Sequence, residues 1–419
     1  MIYDCIIIGG GPAGMLASLR AAKTGCKVAV IERNNILGKK LRITGKGRCN
    51  ITNDCDFDTL MANIPGNPKF LFSSFRKFSN IDIIDFFNKL GLETVVERGG
   101  RVFPKSQKAG DVAGALVNAL KKSKNISLYM NTRVKDILIK KSEDNKFSVE
   151  GVLVANEDSN IQKLYSDKVI CATGGLSYPL TGSTGDGYIF AEKVGHSIIT
   201  PRASLAALLS NDTFIKDLSG LSLRNISIKL KSENNIIYED FGELLFTGHG
   251  VSGPVILSAS AYYKRGRETV ISIDLKPALS EAQLYERLQR DFGCFDRKMY
   301  CNSLDKLLPK KLIPVFIERT GIPPTKQVNQ LNKEERMKIV YLLKDFSVNI
   351  SDIDDVKNAI ITAGGVNIKE INPKTMESKL CSGLYFAGEV IDTDGYTGGF
   401  NLTIAFSTGY TAGESASAF

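Results

Sequence analysis

The 419-residue sequence has no tryptophan and two histidines, and none of its eight cysteines form a CxxC or CxxxxC pair. His196 and His249 join no Ser–His–Asp set and no ligand cluster, so neither hydrolytic triad chemistry nor a metal centre is expected. The cysteines (5, 26, 49, 55, 171, 294, 301 and 381) lack the spacing of a zinc ribbon or a redox dithiol. They read as reduced, mostly buried thiols. No apolar run reaches the roughly 18–20 residues that span a bilayer. The opening residues carry no basic n-region and only a short apolar run before the glycines, so no secretory leader is expected. These two absences make the cytoplasm the expected location, with no membrane partner. There is no long basic block either. The formal net charge of +9 is spread over short clusters such as Lys39-Lys40, Lys121-Lys122, Lys140-Lys141 and Lys310-Lys311. That pattern argues against a nucleic-acid partner and suits anionic small molecules.

Hydrophobic residues make up 43% and charged residues 24% of the chain, normal for a globular protein. The length points to two or three domains. Residues 3–8 read as a buried parallel strand, followed by a glycine turn, a helix over 15–23 and a second strand over 27–32. Residues 34–53 read as a long functional loop. A helix follows over 81–90, capped near Asn80 or Asp82, then a hairpin turn at 98–101 and a helix over 109–122. Strands at 127–130, 132–140, 146–155 and 163–173, with a polar turn at 142–145, form a β-meander. Residues 204–238 and 268–275 are strand-like, 280–346 helical and 345–362 strand-like again. A strand at 383–387 and a helix at 402–416 close the chain.

Three glycine motifs carry the chemistry. In the first, Gly9, Gly11 and Gly14 have G-x-G-x-x-G spacing around Pro12 and Ala13. They allow a tight turn, close approach of a pyrophosphate and helix–strand packing, with the helix N-terminus facing the phosphates. Glu32, beside Arg33, ends the second strand at the distance expected of a ribose-binding acid, and it would repel a 2′-phosphate. In the second, an apolar strand runs into Ala172, Thr173, Gly174 and Gly175. This resembles the second motif of the glutathione-reductase-like FAD proteins, in which a strand passes close to the cofactor. In the third, residues 383–390 (GLYFAGEV) precede Asp392 and the loop carrying Gly398, Gly399, Asn401 and Leu402. It resembles the late FAD motif of the same proteins. The resemblance implies that Gly388 and Glu389 meet the ribityl chain. It also implies that the helix opening near Asn401 faces the flavin pyrimidine and stabilises negative charge there.

Residues 38–53 (GKKLRITGKGRCNITN), 245–254 (LFTGHGVSGP), 362–366 (TAGGV) and 375–378 (TMES) are very similar to signatures of the YhiN/BaiN-like family of FAD-dependent oxidoreductases. The resemblance covers the whole chain. It implies an α/β fold with a discontinuous Rossmann-like FAD domain (1–200 and 364–419), an inserted β-barrel (201–277 and 345–363) and a small helical subdomain (278–344). It also implies that Lys40, Arg42, Gly45, Gly47, Arg48, Cys49 and Asn50 lie along FAD, and that the Val134 backbone meets the adenine. The chain departs from the family at Lys46, where many relatives have glycine. Cys49 reads as a packing residue or a redox thiol. His249 is a loop histidine or an acid–base group.

The expected reaction is hydride transfer through flavin N5, with NAD(P)H as donor and a small organic acceptor such as an activated C=C bond. No second G-x-G-x-x-G marks a separate nucleotide domain. Two alternatives are an oxidase of a small amine or aminoketone and a flavin-dependent RNA-modifying enzyme. The substrate and the oligomeric state are not legible.

Overall fold

The computed structural model describes residues 1–141, 146–294 and 298–418; the turn read at 142–145 lies outside them. The chain divides into two compact units, Met1–Ser204 with Val356–Phe419, and Leu205–Asp355.

The first unit is built on a five-stranded parallel sheet. Its strands run in the order Leu384–Phe386, Val169–Cys171, Cys5–Ile8, Val28–Ile31, Ile126–Tyr129. The four strands other than the edge strand Ile126–Tyr129 are buried along their whole length. This explains why they read as continuous apolar runs rather than alternating ones. The register matters most for function. Ile8 is level with Ile31 on one side and Cys171 on the other, and Cys171 is level with Phe386. The next residues along each strand are Gly9, Glu32, Ala172 and Ala387. The three glycine motifs, whose strand exits Gly9 and Ala387 are 378 residues apart in sequence, therefore leave the sheet at one carboxyl edge, where ligands of open α/β sheets bind.

The helix Pro12–Ala22 lies against the terminal helix Phe400–Ala416. Small residues permit the contact. A Cβ on Gly409 would sit 2.3 Å from the Ala13 carbonyl oxygen, and one on Gly413 would sit 2.4 Å from that of Ala17. On the other side, Met15 and Leu16 share a core with Val112, Ala113 and Leu116 of the helix Ala109–Lys122.

The meander is present as Arg133–Lys141, Phe147–Ala155 and Ile161–Tyr165, but the strand read at 127–130 is not part of it: as Ile126–Tyr129 it pairs in parallel with Val28–Ile31 at the edge of the main sheet. The single strand expected over 163–173 is two. Ser166 breaks it: its hydroxyl donates to the Lys168 carbonyl at 2.9 Å and accepts from the Lys168 N–H at 3.1 Å. Such a local side-chain turn competes with the ladder. The helix expected over 81–90 is Asn80–Lys89, capped by Ser79 in a capping box with Asp82. Asn80 instead donates to the carbonyls of Asn53 and Cys55.

His196 is buried between Glu370 (Nδ1, 3.1 Å) and the Ser378 hydroxyl (Nε2, 2.7 Å). Burial lowers its pKa, opposed by Glu370. The unfolded chain therefore takes up a proton at this site first as pH falls through about 6.5, and stability is lost on the acid side. Thermal melts at pH 7.5 and 5.5 should show a smaller loss of Tm for His196→Gln than for the unsubstituted protein. An equal loss would show that His196 does not carry the acid sensitivity.

The second unit holds a seven-stranded sheet in the order Phe346–Ile350, Thr269–Asp274, Ser222–Ser232, Asn235–Thr247, Gly250–Ser252, Leu208–Leu209, Asp352–Ile353. The helices Glu281–Gly293, Ile313–Thr320 and Lys333–Lys344 interrupt it between Thr269–Asp274 and Phe346–Ile350. Sheet and helices share one apolar core, including Phe246, Phe316 and Phe346.

Candidate functional site

The glycine turn has the geometry its spacing demands. Gly9 has φ +104°, and a Cβ there would lie 2.5 Å from the Ala172 carbonyl oxygen. A Cβ on Gly14 would lie 1.9 Å from the Gly9 oxygen. By contrast, a Cβ on Gly11, the helix N-cap, would meet no protein atom within 4 Å. Two glycines are thus required by packing. The third leaves space in front of a helix N-terminus, as a pyrophosphate requires.

Glu32 is buried at this turn. Its Oε1 accepts from the Asn34 N–H and Asn34 Nδ2, and its Oε2 from the Gly10 N–H at 2.8 Å. A carboxylate oxygen has two lone pairs. Oε1 is saturated, and Oε2 keeps one acceptor direction, as a ribose hydroxyl requires. The segment leading to Val134 docks beside it, with the Thr132 N–H donating to the Glu32 carbonyl and the Asn131 N–H to that of Asn34. The Val134 side chain is buried, which leaves only its backbone for any ligand. Arg33 is exposed and shares Asp186 with Arg133.

Glu389 repeats the arrangement. Its Oε2 pairs with Lys40 Nζ at 2.7 Å. Its Oε1 accepts from the Ser177 hydroxyl at 2.7 Å and the Thr362 N–H at 2.9 Å. Again one oxygen is filled and the other keeps one direction open. Lys40 also donates to Ser177 at 2.6 Å. The Thr362 hydroxyl accepts from the N–H groups of Leu176 and Ser177, and a Cβ on Gly175 would meet it at 2.5 Å. This node joins the second and third glycine motifs with the 38–53 and 362–366 segments. Ser177 and Thr362 were not singled out by residue. Thr362 lies in the TAGGV segment, whereas Ser177 has no sequence signal.

The loop over 34–53 is ordered rather than irregular. Residues Leu41–Gly47 form tight turns, with Gly45, Lys46 and Gly47 all left-handed at φ 56°, 57° and 84°. Arg42 donates to the Leu37 carbonyl. Arg48 binds Glu97 and Gln107 and lies over the Phe103 ring. Cys49 is fully buried, and burial pushes its thiol up to about 12. That environment fits the packing alternative. The Asn50 Oδ1 is buried with no hydrogen-bond partner, an acceptor that a bound group would satisfy.

At the third motif, the Gly388 N–H donates to Thr408, and its Cβ position abuts Ala13. Gly398 and Gly399 have φ of 125° and 101°, and a Cβ on Gly399 would collide with the Thr52 backbone at 2.4 Å. The helix opens at Phe400, two residues earlier than expected. The Asn401 side chain is committed to Gly395 and Tyr396 of its own loop. Asn401 and Leu402 can therefore offer a ligand their helix-terminal N–H groups, with the Asn401 amide already in use.

Gly174 (φ 77°) continues the second motif against Ser183, and Thr173 lies beside Cys171. His249 belongs to the other unit. It is exposed in the turn between Asn235–Thr247 and Gly250–Ser252, and its carbonyl accepts from Ser210. Among the described residues no His, Cys, Asp and Glu group is arranged to hold a metal, and no helix is long and apolar enough to cross a membrane.

Residues 3–415 match the family described as HI0933-like protein Rossmann domain. The chain is 30% identical over 418 residues to a 3-dehydro-bile acid delta(4,6)-reductase of Clostridium scindens, covering 98% of both chains. It is 30% identical over 412 residues to a ribosomal RNA dihydrouridine synthase of Escherichia coli, covering 98% of this chain and 97% of that protein. Its fold is similar to that of a 3-ketosteroid delta1-dehydrogenase from Sterolibacterium denitrificans, with a TM-score of 0.56 and 13% identity over 99% of both chains. The chain belongs to the HI0933-like family and is an FAD-dependent oxidoreductase.

Proposed function

We propose that this protein passes hydride from NAD(P)H through FAD to a carbon–carbon double bond conjugated with a carbonyl. The observation that carries this reading is the near full-length likeness to two proteins whose names denote the same chemistry. A 3-dehydro-delta(4,6) steroid and the uracil ring of uridine both present a C=C bond polarised by an adjacent carbonyl. In this reading FAD lies from Gly9–Gly14 and Glu32 past Ala172–Gly175 to Lys40, Glu389 and the Phe400 helix end. Arg42, Gly45, Gly47, Arg48, Asn50, Gly398 and Gly399 border it. The bound flavin supplies the hydride; the protein supplies position and charge.

The insert would be a β-barrel with a helical subdomain. The two end strands of its sheet, Phe346–Ile350 and Asp352–Ile353, are separated in sequence by Ser351 alone, so the sheet must curl to bring its edges together.

Anaerobic addition of NADH or NADPH should bleach the flavin band at about 450 nm. Subsequent addition of 2-cyclohexenone should restore it. A flavin that neither nucleotide reduces, but that a small amine does, would replace this reading with the oxidase. RNA is the second reading of the substrate, favoured by the Escherichia coli relative and the +9 charge. Reoxidation by a uridine-containing RNA but not by small enones would select it.

A further inference from the structure

The cations around the glycine motifs are mostly committed. Lys40 is bound to Glu389, Arg33 and Arg133 to Asp186, and Arg48 to Glu97. Arg202 is different. It is exposed, and among the described residues its guanidinium has no hydrogen-bond or ion-pair partner.

Its place in the fold ties it to the site. Arg202 lies on the strand Ile198–Ser204, level with Ala363 of Ile361–Val366, and the next pair is Ala203 with Thr362. Thr362 is the residue that donates to Glu389. The register shifts between Ile199 and Arg202, a bulge that contains Pro201 and re-aims the side chain that follows. Gly364 and Gly365 let this ribbon approach closely. A Cβ on them would lie 2.5 Å from the carbonyl oxygens of Thr200 and Val390.

Two acids sit within the reach of the Arg202 charge. Asp392 is half-buried and accepts from Asn67 Nδ2 at 3.0 Å. Asp394 is buried and accepts from the Ser204 hydroxyl at 2.7 Å. Burial raises both carboxyls, opposed first by the hydrogen bonds from Asn67 and Ser204 and then by the Arg202 charge. The Tyr188 hydroxyl is buried with no partner, and so is the hydroxyl of Thr393, the residue between the two acids in sequence.

We propose that Arg202 anchors the carbonyl oxygen of the substrate, with the nearby carboxyls of Asp392 and Asp394 balancing its charge. This rests on the reading of the enzyme as a reductase of conjugated double bonds. Hydride from reduced flavin forms a C–H bond at the β-carbon, and the π electron pair shifts to leave an enolate. Its negative charge develops on the oxygen held by Arg202. A proton from water then completes the α-carbon, so that one C=C bond, one NAD(P)H and one proton give the saturated product and NAD(P)⁺. A guanidinium suits the task because it is permanently charged and offers paired donors to one oxygen.

The test uses 4-chlorophenolate, an enolate mimic, titrated into the oxidised FAD-loaded enzyme. The unsubstituted protein should bind it with a long-wavelength charge-transfer band. Arg202→Gln should weaken binding by about tenfold or more, the loss of one charge-assisted contact, with flavin content and Tm unchanged. Arg202→Lys should recover part of it. Equal phenolate binding by Arg202→Gln and the unsubstituted protein would overturn the inference. If Arg202→Gln abolishes the band and neither protein reduces an enone, the anchor stands and the reductase reading falls. If both reduce 2-cyclohexenone at the same rate, the reductase reading stands and the anchor falls.

Discussion

Glu389→Leu should purify with little or no flavin, although its sheet and helices still form. The side chain accepts three hydrogen bonds, from Lys40, Ser177 and the Thr362 N–H. Leucine leaves an ammonium, a hydroxyl and a backbone N–H facing an apolar group in a site where Lys40 and Glu389 keep only 20% and 12% side-chain exposure. Removing one partner of such a pair costs about 3 kcal/mol. It also removes the acceptor direction that the proposed site offers the ribityl chain. The Lys40→Met, Glu389→Leu double variant takes away both charges together. It should recover stability relative to Glu389→Leu alone without recovering flavin, because the coupling lies between neighbours. Urea titrations and flavin absorbance of the desalted proteins separate the two effects. Normal flavin content in Glu389→Leu would mean that this node does not hold the cofactor.

Gly14→Val should have the largest effect of any single change in the first motif. Its Cβ would lie 1.9 Å from the Gly9 carbonyl oxygen, which is backbone and has no rotamer to move into. The helix Pro12–Ala22 must shift away from the strand, and its far face is already closed by the glycines of Phe400–Ala416 against Ala13 and Ala17. Overpacking of this kind costs about 3 kcal/mol. The shift also moves the helix N-terminus away from the phosphates, so flavin retention and Tm should fall together. Gly11→Ala is the matched control, since a Cβ there meets no protein atom. It should leave Tm nearly unchanged and weaken flavin binding, because the space its methyl enters is the one a pyrophosphate would use.

The parallel sheet was legible because its strands are short, apolar and bounded by glycine, and the βαβ opening has a fixed grammar. The three glycine motifs, Glu32 and Glu389 were legible for the same reason: each needs a residue type that few other roles require. What the sequence did not show is how acids are held. Ser177 and Thr362 are common residue types without local periodicity, and only the strand pairing between Ile198–Ser204 and Ile361–Val366 brings Thr362 to Glu389. Asn401 is a further case. Its position in the late motif pointed to the helix-terminal N–H groups, whereas the sequence did not show that its side-chain amide satisfies its own loop. The loop over 34–53 read as irregular because its order comes from left-handed turns at Gly45, Lys46 and Gly47, which carry no period.

The most direct test is the flavin content of the purified protein, measured by releasing the bound chromophore with acid and identifying it. The account predicts about one FAD per chain, with the band at about 450 nm before release. A colourless protein that takes up no FAD on reconstitution, or one that releases FMN, would contradict it. FMN lacks the adenosine half that Glu32 and the Gly9–Gly14 turn are shaped to receive.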